Sequence, residues 1–319
     1  MKQTNFFIMR GVQMDRTNQR IGILYLVLTI LLFSTFEVTS KFLSPYMGPT
    51  QITFYRFFIG GLILLPFALL QIRKKKVKLT ALDFAKFSVL GIVNIVISMG
   101  LIQLGLVYTN ASVCAVLFSI NPLFVMFFAR IMLDEKITIT KVIGLLLGVI
   151  GIVTLFIDSI SKKTSTVFGL VLILVSSICF AFYTVLGKKI ITNKIDSLIV
   201  TTFSFLIGSV VLIPIQVGMN ISLLPDVSKV IPELLYMSII VTGLAYVTYF
   251  EGLSRLEAGA GSMLYFAKPA LASILATCLL HENLSLNLVF GIVIIAFGIF
   301  IAQSKLQGNN FLKNKDKGL

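Results

Sequence analysis

Three charged residues stand where the chain is otherwise apolar. Lys268 lies in YFAKPALAS (265–273), Glu37 in LLFSTFEVTSKF (31–42) and Arg56 in FYRFFIGGLILL (54–65). A charge near the bilayer centre costs at least about 2.5–3.5 kcal/mol on insertion scales, so it has to face a polar cavity or a partner. An ammonium holds carboxylate or phosphate as a point charge, and Lys268 is read as the group that binds an anionic part of a substrate. A permanent salt bridge is the bland alternative, and a proton-coupling role is a third. Glu37 and Arg56 each fall about six residues from the same end of adjoining antiparallel spans, so they share a depth. The preferred assignment is a structural ion pair, Glu37–Arg56, that leaves Lys268 free. The rivals bring Glu37 to Lys268, or give it a substrate amine or a coupling proton.

Polar and aromatic groups at similar depth complete the candidate substrate set: Asn121, Tyr265, Tyr183 and Asn94. Lys268 precedes Pro269 as Asn121 precedes Pro122. A proline inside a helix removes one hydrogen bond and crowds the carbonyl four residues back, so Pro122 and Pro269 are expected to kink their helices and free the carbonyls of Phe118 and Tyr265. Asn94, Ser98 and Gln103 recur at near-helical spacing, which gives either a polar stripe toward a cavity or hydrogen bonds between helices. For the other aromatics, Phe33, Phe36, Tyr246, Tyr249 and Phe250 among them, packing is the default. One histidine, His281, leaves no material for a histidine-rich metal site, and Cys114, Cys179 and Cys278 form no CxxC pair. No metal, cofactor, nucleophile–base pair or phosphate loop is expected, and so no enzyme.

The elements that position these groups follow from composition. The chain of 319 residues is 57% hydrophobic and only 13% charged, with a mean hydropathy of +0.99. A soluble protein would carry about twice that charged share. Apolar runs of about twenty residues without alternation are membrane-spanning helices. Ten are expected, over 22–43, 51–72, 84–107, 112–131, 141–158, 168–190, 197–217, 232–253, 260–279 and 286–303. The opening MKQTNFFIMRGVQMDRTNQR is not a signal peptide, since its apolar piece FFIM is far too short. The net charge of +14 is spread over short loops and tails, so the positive-inside rule accounts for it and nucleic acid is not implied. With a cytoplasmic N-terminus, 21 of the 27 Lys and Arg residues fall on the cytoplasmic side and 4 on the other. Both termini are therefore expected in the cytoplasm.

Shifted by 147 residues, the sequence matches itself without a gap. Gly22 meets Gly169, Lys41 meets Lys188, Pro122 meets Pro269, Glu135 meets Glu282 and Gly151 meets Gly298. The expected organisation is a cytoplasmic tail (1–21), a five-helix repeat (22–158), a second five-helix repeat (168–304) and a cytoplasmic tail (305–319). Five is odd, so the second copy enters the membrane from the opposite side. Two similar halves inserted in opposite senses can open inward or outward at comparable energy, as secondary transporters do around a midplane site.

Ten helices in this layout, the aromatic–Arg–aromatic start of the second helix, and the Pro122/Glu135 and Pro269/Glu282 pairs resemble the EamA-type members of the drug/metabolite transporter superfamily. The family glutamate often follows a glycine, whereas Asp134 and His281 precede it here, and Phe203 replaces Arg56 in the second repeat. The resemblance covers about residues 22–303 and implies secondary transport of a small organic solute in a bacterial-type inner membrane. With Lys268 as the site charge, the expected substrate is a small carboxylate-bearing metabolite, such as an amino acid. The alternatives are efflux of amphipathic cations or drugs, which would make Glu37 dominant, or carriage of a sugar or nucleotide derivative. Gly144, Gly148 and Gly151 form a face of small residues, read as close helix packing, with a homodimer interface the less favoured option.

Overall fold

The computed structural model describes residues 16–109, 111–160, 166–192, 194–271 and 286–315. Among them the regular elements are helical, with no strand. α1 (Arg16–Phe33) breaks at Ser34–Thr35 before α2 (Phe36–Leu43), and α3 (Pro49–Lys75) follows. α4 (Ala81–Gly91) runs through a π-helical stretch, Ile92–Met99, into α5 (Gly100–Gly105). α6 (Ala111–Phe118), α7 (Asn121–Met132) and α8 (Ile139–Ile160) come next. After α9 (Val167–Ile190) and α10 (Ser197–Gly218), α11 (Ile231–Tyr236) passes through a second π-helical stretch, Met237–Leu244, into α12 (Ala245–Ser254). α13 (Ala258–Ser262), a 3₁₀ turn at Met263–Phe266, helical residues 267–271 and α14 (Leu286–Lys315) complete the order among the described residues. His281, Glu282 and Cys278 lie outside the described residues.

Six helical runs among the described residues are long and apolar enough to cross a membrane: Thr17–Leu43, Pro49–Lys75, Ala81–Gly105, Val167–Ile190, Ser197–Gly218 and Ile231–Ser254. Asn121–Met132, Ile139–Thr154 and Val289–Ala302 are apolar but shorter. Where the sequence predicts one helix over 112–131, the structure has two. α6 ends at Phe118 and α7 starts with Asn121–Pro122. Pro122 therefore opens a helix, where its missing N–H costs nothing, instead of kinking a continuous one.

Local chemistry sets the helix ends. Thr166 Oγ1 accepts the Gly169 amide (3.1 Å) at the start of α9, and Asp196 Oδ1 accepts the Ile199 amide (3.1 Å) at the start of α10. Asp196 Oδ2 also takes Lys75 Nζ at 2.9 Å and Gln71 Nε2 at 2.8 Å, tying the end of α3 to α10. At the opposite end of α3, Gln51 Nε2 donates to Ser222 O (2.6 Å) and the Tyr55 hydroxyl to Leu223 O (2.7 Å). α8 and α14 pack through the predicted glycine face. A Cβ on Gly144 would meet Gly298 O and the Ala302 Cβ at 2.6 Å. That face is filled within the chain, by α14 and by the ring of Phe266 against Gly148.

Candidate functional site

The break in α1–α2, the two π-helical stretches and the 3₁₀ turn converge on one region of the core. The breaks matter because they aim side chains that regular helices would point elsewhere. Glu37 sits in the first turn of α2, Arg56 within α3, and Lys268 two residues beyond the 3₁₀ turn. Ser34, in the first break, donates its hydroxyl to Ile30 O at 2.6 Å and to Lys268 O at 3.4 Å.

Lys268 Nζ lies 2.5 Å from Glu37 Oε1, and each residue is only 2% exposed. The preferred Glu37–Arg56 pair is thus corrected: the carboxylate binds the lysine, the rival assignment. Two antiparallel neighbours share a depth, but depth alone does not fix which side chain is nearer, and the 3₁₀ turn brings Lys268 closer. Arg56 instead stacks its guanidinium on aromatic faces, with Cζ 4.6 Å from the Phe36 centroid and 4.5 Å from Phe57. Its Nε and Nη2 are buried without a hydrogen-bond partner among the described residues, as is Glu37 Oε2. Lys268 Nζ is 5.5 Å from the centroids of Phe36 and Phe118 and 6.0 Å from Tyr265.

The void beside this pair is about 20 Å³, walled by Phe33, Phe36, Arg56, Phe118, Tyr246, Tyr265 and Lys268 with Met99, Ile102 and Val241. That is room for about one water. The aromatic walls brace one another: Phe33 meets Tyr246 at 5.1 Å between centroids and Tyr265 at 5.9 Å, and Phe118 meets Tyr265 at 6.2 Å. The structure is closed around its charges.

Of the expected substrate set, Lys268, Glu37 and Tyr265 come together with Arg56. Asn121 does not join them: its Nδ2 donates to Ser177 O at 2.9 Å, holding α7 to α9. The Phe118 carbonyl near Pro122 accepts the Ser177 hydroxyl at 3.2 Å. Tyr183 is fully buried behind the cavity, its ring packed on Phe180 and Phe250, and its hydroxyl lacks a partner among the described residues. Asn94 is buried with its carboxamide toward the Tyr246 hydroxyl, though outside hydrogen-bond geometry. Ser98 and Ser176 exchange bonds between helices (Ser98 Oγ to Ser176 O, 2.9 Å; Ser176 Oγ to Ser98 O, 2.7 Å), and Ser40 Oγ donates to Gln103 Oε1 at 3.3 Å. The stripe is interhelical bonding at those positions. Met99, Ile102 and Val241 carry no signal in an apolar chain, whereas a tyrosine in mid-span, Tyr246, does.

A second charged cluster lies at the Lys75 end of the bundle. Glu135, in the loop before α8, takes Lys188 Nζ at 3.0 Å and the amides of Ala258 (2.6 Å) and Gly259 (3.0 Å). Lys188 also donates to Leu256 O at 2.5 Å, and Lys141 pairs with Glu257 at 2.6 Å. Burial alone would raise the Glu135 pKa, but Lys188 and the two amides outweigh it and hold the carboxyl below its usual value.

The profile of the EamA-like transporter family matches the chain twice, over residues 20–157 and 167–303. A protein named an uncharacterized transporter in Clostridium kluyveri is 33% identical over 300 residues, 92% of this chain and 96% of its own length. One of the same description from Archaeoglobus fulgidus is 28% identical over 88% of this chain and 98% of its own. The uncharacterized transporter YvbV of Bacillus subtilis is also 28% identical, over 88% and 91%. A solved crystal structure superposes with a TM-score of 0.73 at 18% identity, covering 90% of this chain and 97% of that one. It bears on the fold alone.

Proposed function

The chain belongs to the EamA-like transporter family, a multi-pass membrane transporter and not an enzyme, and from that premise we propose that it carries a small carboxylate-bearing metabolite, such as an amino acid, by alternating access. In this reading ten spans form two inverted five-helix repeats, 22–158 and 168–304, in a bacterial-type inner membrane. Both termini are cytoplasmic, and the Lys75 end of the bundle faces the cytoplasm. No ATPase motif is present in the sequence, so the driving force is a gradient.

One observation carries the substrate class. The buried cluster holds Lys268, Arg56 and Glu37, a single net positive charge, and the Arg56 Nε and Nη2 donors have no described partner. That edge of a guanidinium fits a carboxylate in two parallel bonds. A carboxylate would neutralise the site, whereas a bare cation would raise a buried charge. The unpartnered Glu37 Oε2 suits the ammonium of a zwitterion. The recognition role assigned from sequence to Lys268 thus passes to Arg56, with Lys268 holding Glu37 in place and Tyr265 walling the site. Asn121, Tyr183 and Asn94 support the walls. The void is too small for any such solute, as a carrier closed to both sides requires.

Uptake into proteoliposomes of labelled amino acids, simple acids and simple amines tests this, with Arg56→Lys and Glu37→Gln beside wild type. Arg56→Lys should cut transport of carboxylates about tenfold or more while the protein stays folded. Amine transport that survives Arg56→Lys and fails in Glu37→Gln would overturn the reading in favour of cation efflux.

A further inference from the structure

A groove separate from the central site opens between α2 and α11. It is about 400 Å³ and lies at the end of the bundle where α3 begins. Val38, Phe42 and Pro232 give its apolar lining, and Thr35, Tyr236 and Glu233 line it as well. Thr35 Oγ1 and the Tyr236 hydroxyl share a hydrogen bond across it, 3.0 Å. From Thr35 to Phe42 the groove follows roughly 10 Å of helix. Its rim is apolar: Phe42 is 59% exposed and Ile231 and Leu235 are exposed too. In a spanning helix such a rim faces acyl chains.

Glu233 is the feature that apolar packing does not explain. In the first turn of α11 a carboxylate gains from the helix dipole, which accounts for its presence but not for its environment. Its Oε2 is buried and has no hydrogen-bond partner among the described residues. A shielded carboxylate oxygen beside an apolar trough calls for a cationic donor attached to hydrocarbon. We infer that this groove binds a phospholipid with a primary-ammonium headgroup, of the phosphatidylethanolamine type. The ammonium donates to Glu233 Oε2, and the upper acyl chain lies along Val38 and Phe42. A lipid is favoured over a soluble amine because the exposed apolar rim continues the groove into the bilayer. The headgroup level also matches the position of Glu233, at the very start of its helix.

Native mass spectrometry of the purified full chain, after exchange into equal amounts of dioleoyl phosphatidylethanolamine, phosphatidylcholine and phosphatidylglycerol, reads the occupant directly. Wild type should retain the ethanolamine lipid at least fivefold over the other two, since choline has no N–H to donate and glycerol no cation. Glu233→Gln should abolish that preference. Val38→Trp, which fills the trough without touching the carboxylate, should reduce ethanolamine-lipid retention as far. Unfolding of each variant is followed through the buried Cys114 thiol in a Cys179→Ser/Cys278→Ser background, so a misfolded variant is recognised. Equal retention of the three lipids by wild type, or an unchanged preference in both variants, overturns the inference. So does displacement of the bound lipid by an equimolar short-chain alkylammonium, which would assign the groove to a soluble amine.

Discussion

Replacing Glu37 by Gln keeps the volume of the side chain and removes the charge. Lys268 is 2% exposed and Glu37 is its carboxylate partner, at 2.5 Å. The variant leaves an ammonium and the Arg56 guanidinium in one apolar pocket with no carboxylate between them. Removing one partner of a buried pair costs about 3–5 kcal/mol, because the other charge stays desolvated. The presence of Arg56 places Glu37→Gln toward the upper end. Lys268→Met belongs toward the lower end, since the surviving carboxylate still has Arg56 as an electrostatic neighbour. With Tm falling roughly 2 °C per kcal/mol in a chain of this size, Glu37→Gln should melt about 8–10 °C below wild type. A thiol-reactive fluorophore gives the assay in a Cys179→Ser/Cys278→Ser background, because the free Cys114 thiol is fully buried until the bundle opens. The double variant Glu37→Gln/Lys268→Met completes a cycle and should recover most of the loss. Additivity of the two single variants within about 0.5 kcal/mol would refute the pairing and, with it, the site built around it.

Three further outcomes follow from other contacts. Glu135 has a folded-state pKa held below its ordinary 4.5; a carboxyl depressed on folding stabilises above its unfolded pKa and loses that contribution as pH falls through the folded one. Wild-type Tm should therefore drop below about pH 4.5 by a component that Glu135→Gln lacks, measured from pH 3 to 7. Gly144→Ala sets a Cβ 2.6 Å from Gly298 O and the Ala302 Cβ, which forces α8 and α14 apart and should cost roughly 1–3 kcal/mol in the same melt. Ser177→Ala strips the hydroxyl from the Phe118 carbonyl and should cost about 1 kcal/mol, against no measurable loss for Ser88→Ala, whose exposed hydroxyl bonds only within its own helix.

Helical class and the identity of the charged centre were legible in the sequence because both rest on cost. A charge in an apolar run has to be accounted for wherever the chain folds, and so Lys268, Glu37 and Arg56 stood out before any geometry was known. Which of the two cations meets Glu37 was not legible. That choice depends on a few ångströms set by the 3₁₀ turn at Met263–Phe266 and the break at Ser34–Thr35, and neither disturbs the hydrophobic pattern. The π-helical stretches Ile92–Met99 and Met237–Leu244 are invisible for the same reason: in a segment apolar on every side, a shift from 3.6 residues per turn changes no pattern. Asn121 fell to interhelical bonding because a buried amide needs a partner whether or not a substrate exists.

The 147-residue register separates what the two halves share from what they do not. Lys41 donates to Thr109 O at 3.3 Å and Leu106 O at 2.8 Å; one shift along, Lys188 donates to Leu256 O at 2.5 Å, and Thr109 maps onto Leu256. The π-helical stretches overlap under the same shift. The charged centre does not repeat: Glu37 maps onto Thr184, Arg56 onto Phe203, and Lys268 onto Asn121. Thr184 bonds the Tyr249 hydroxyl at 3.0 Å and Asn121 bonds Ser177, so the uncharged mates serve the scaffold. In the proposed alternating-access reading, a frame made of matching halves provides two arrangements of similar energy. Chemistry present in one copy then provides one site and not two half-sites, and that reading requires the site to be uncovered from either side by movement of the frame around it. The lysine-to-carbonyl ties are the contacts that such movement would exchange, and Glu135, which clamps Lys188 together with the start of α13, is the group whose removal should favour opening at the Lys75 end.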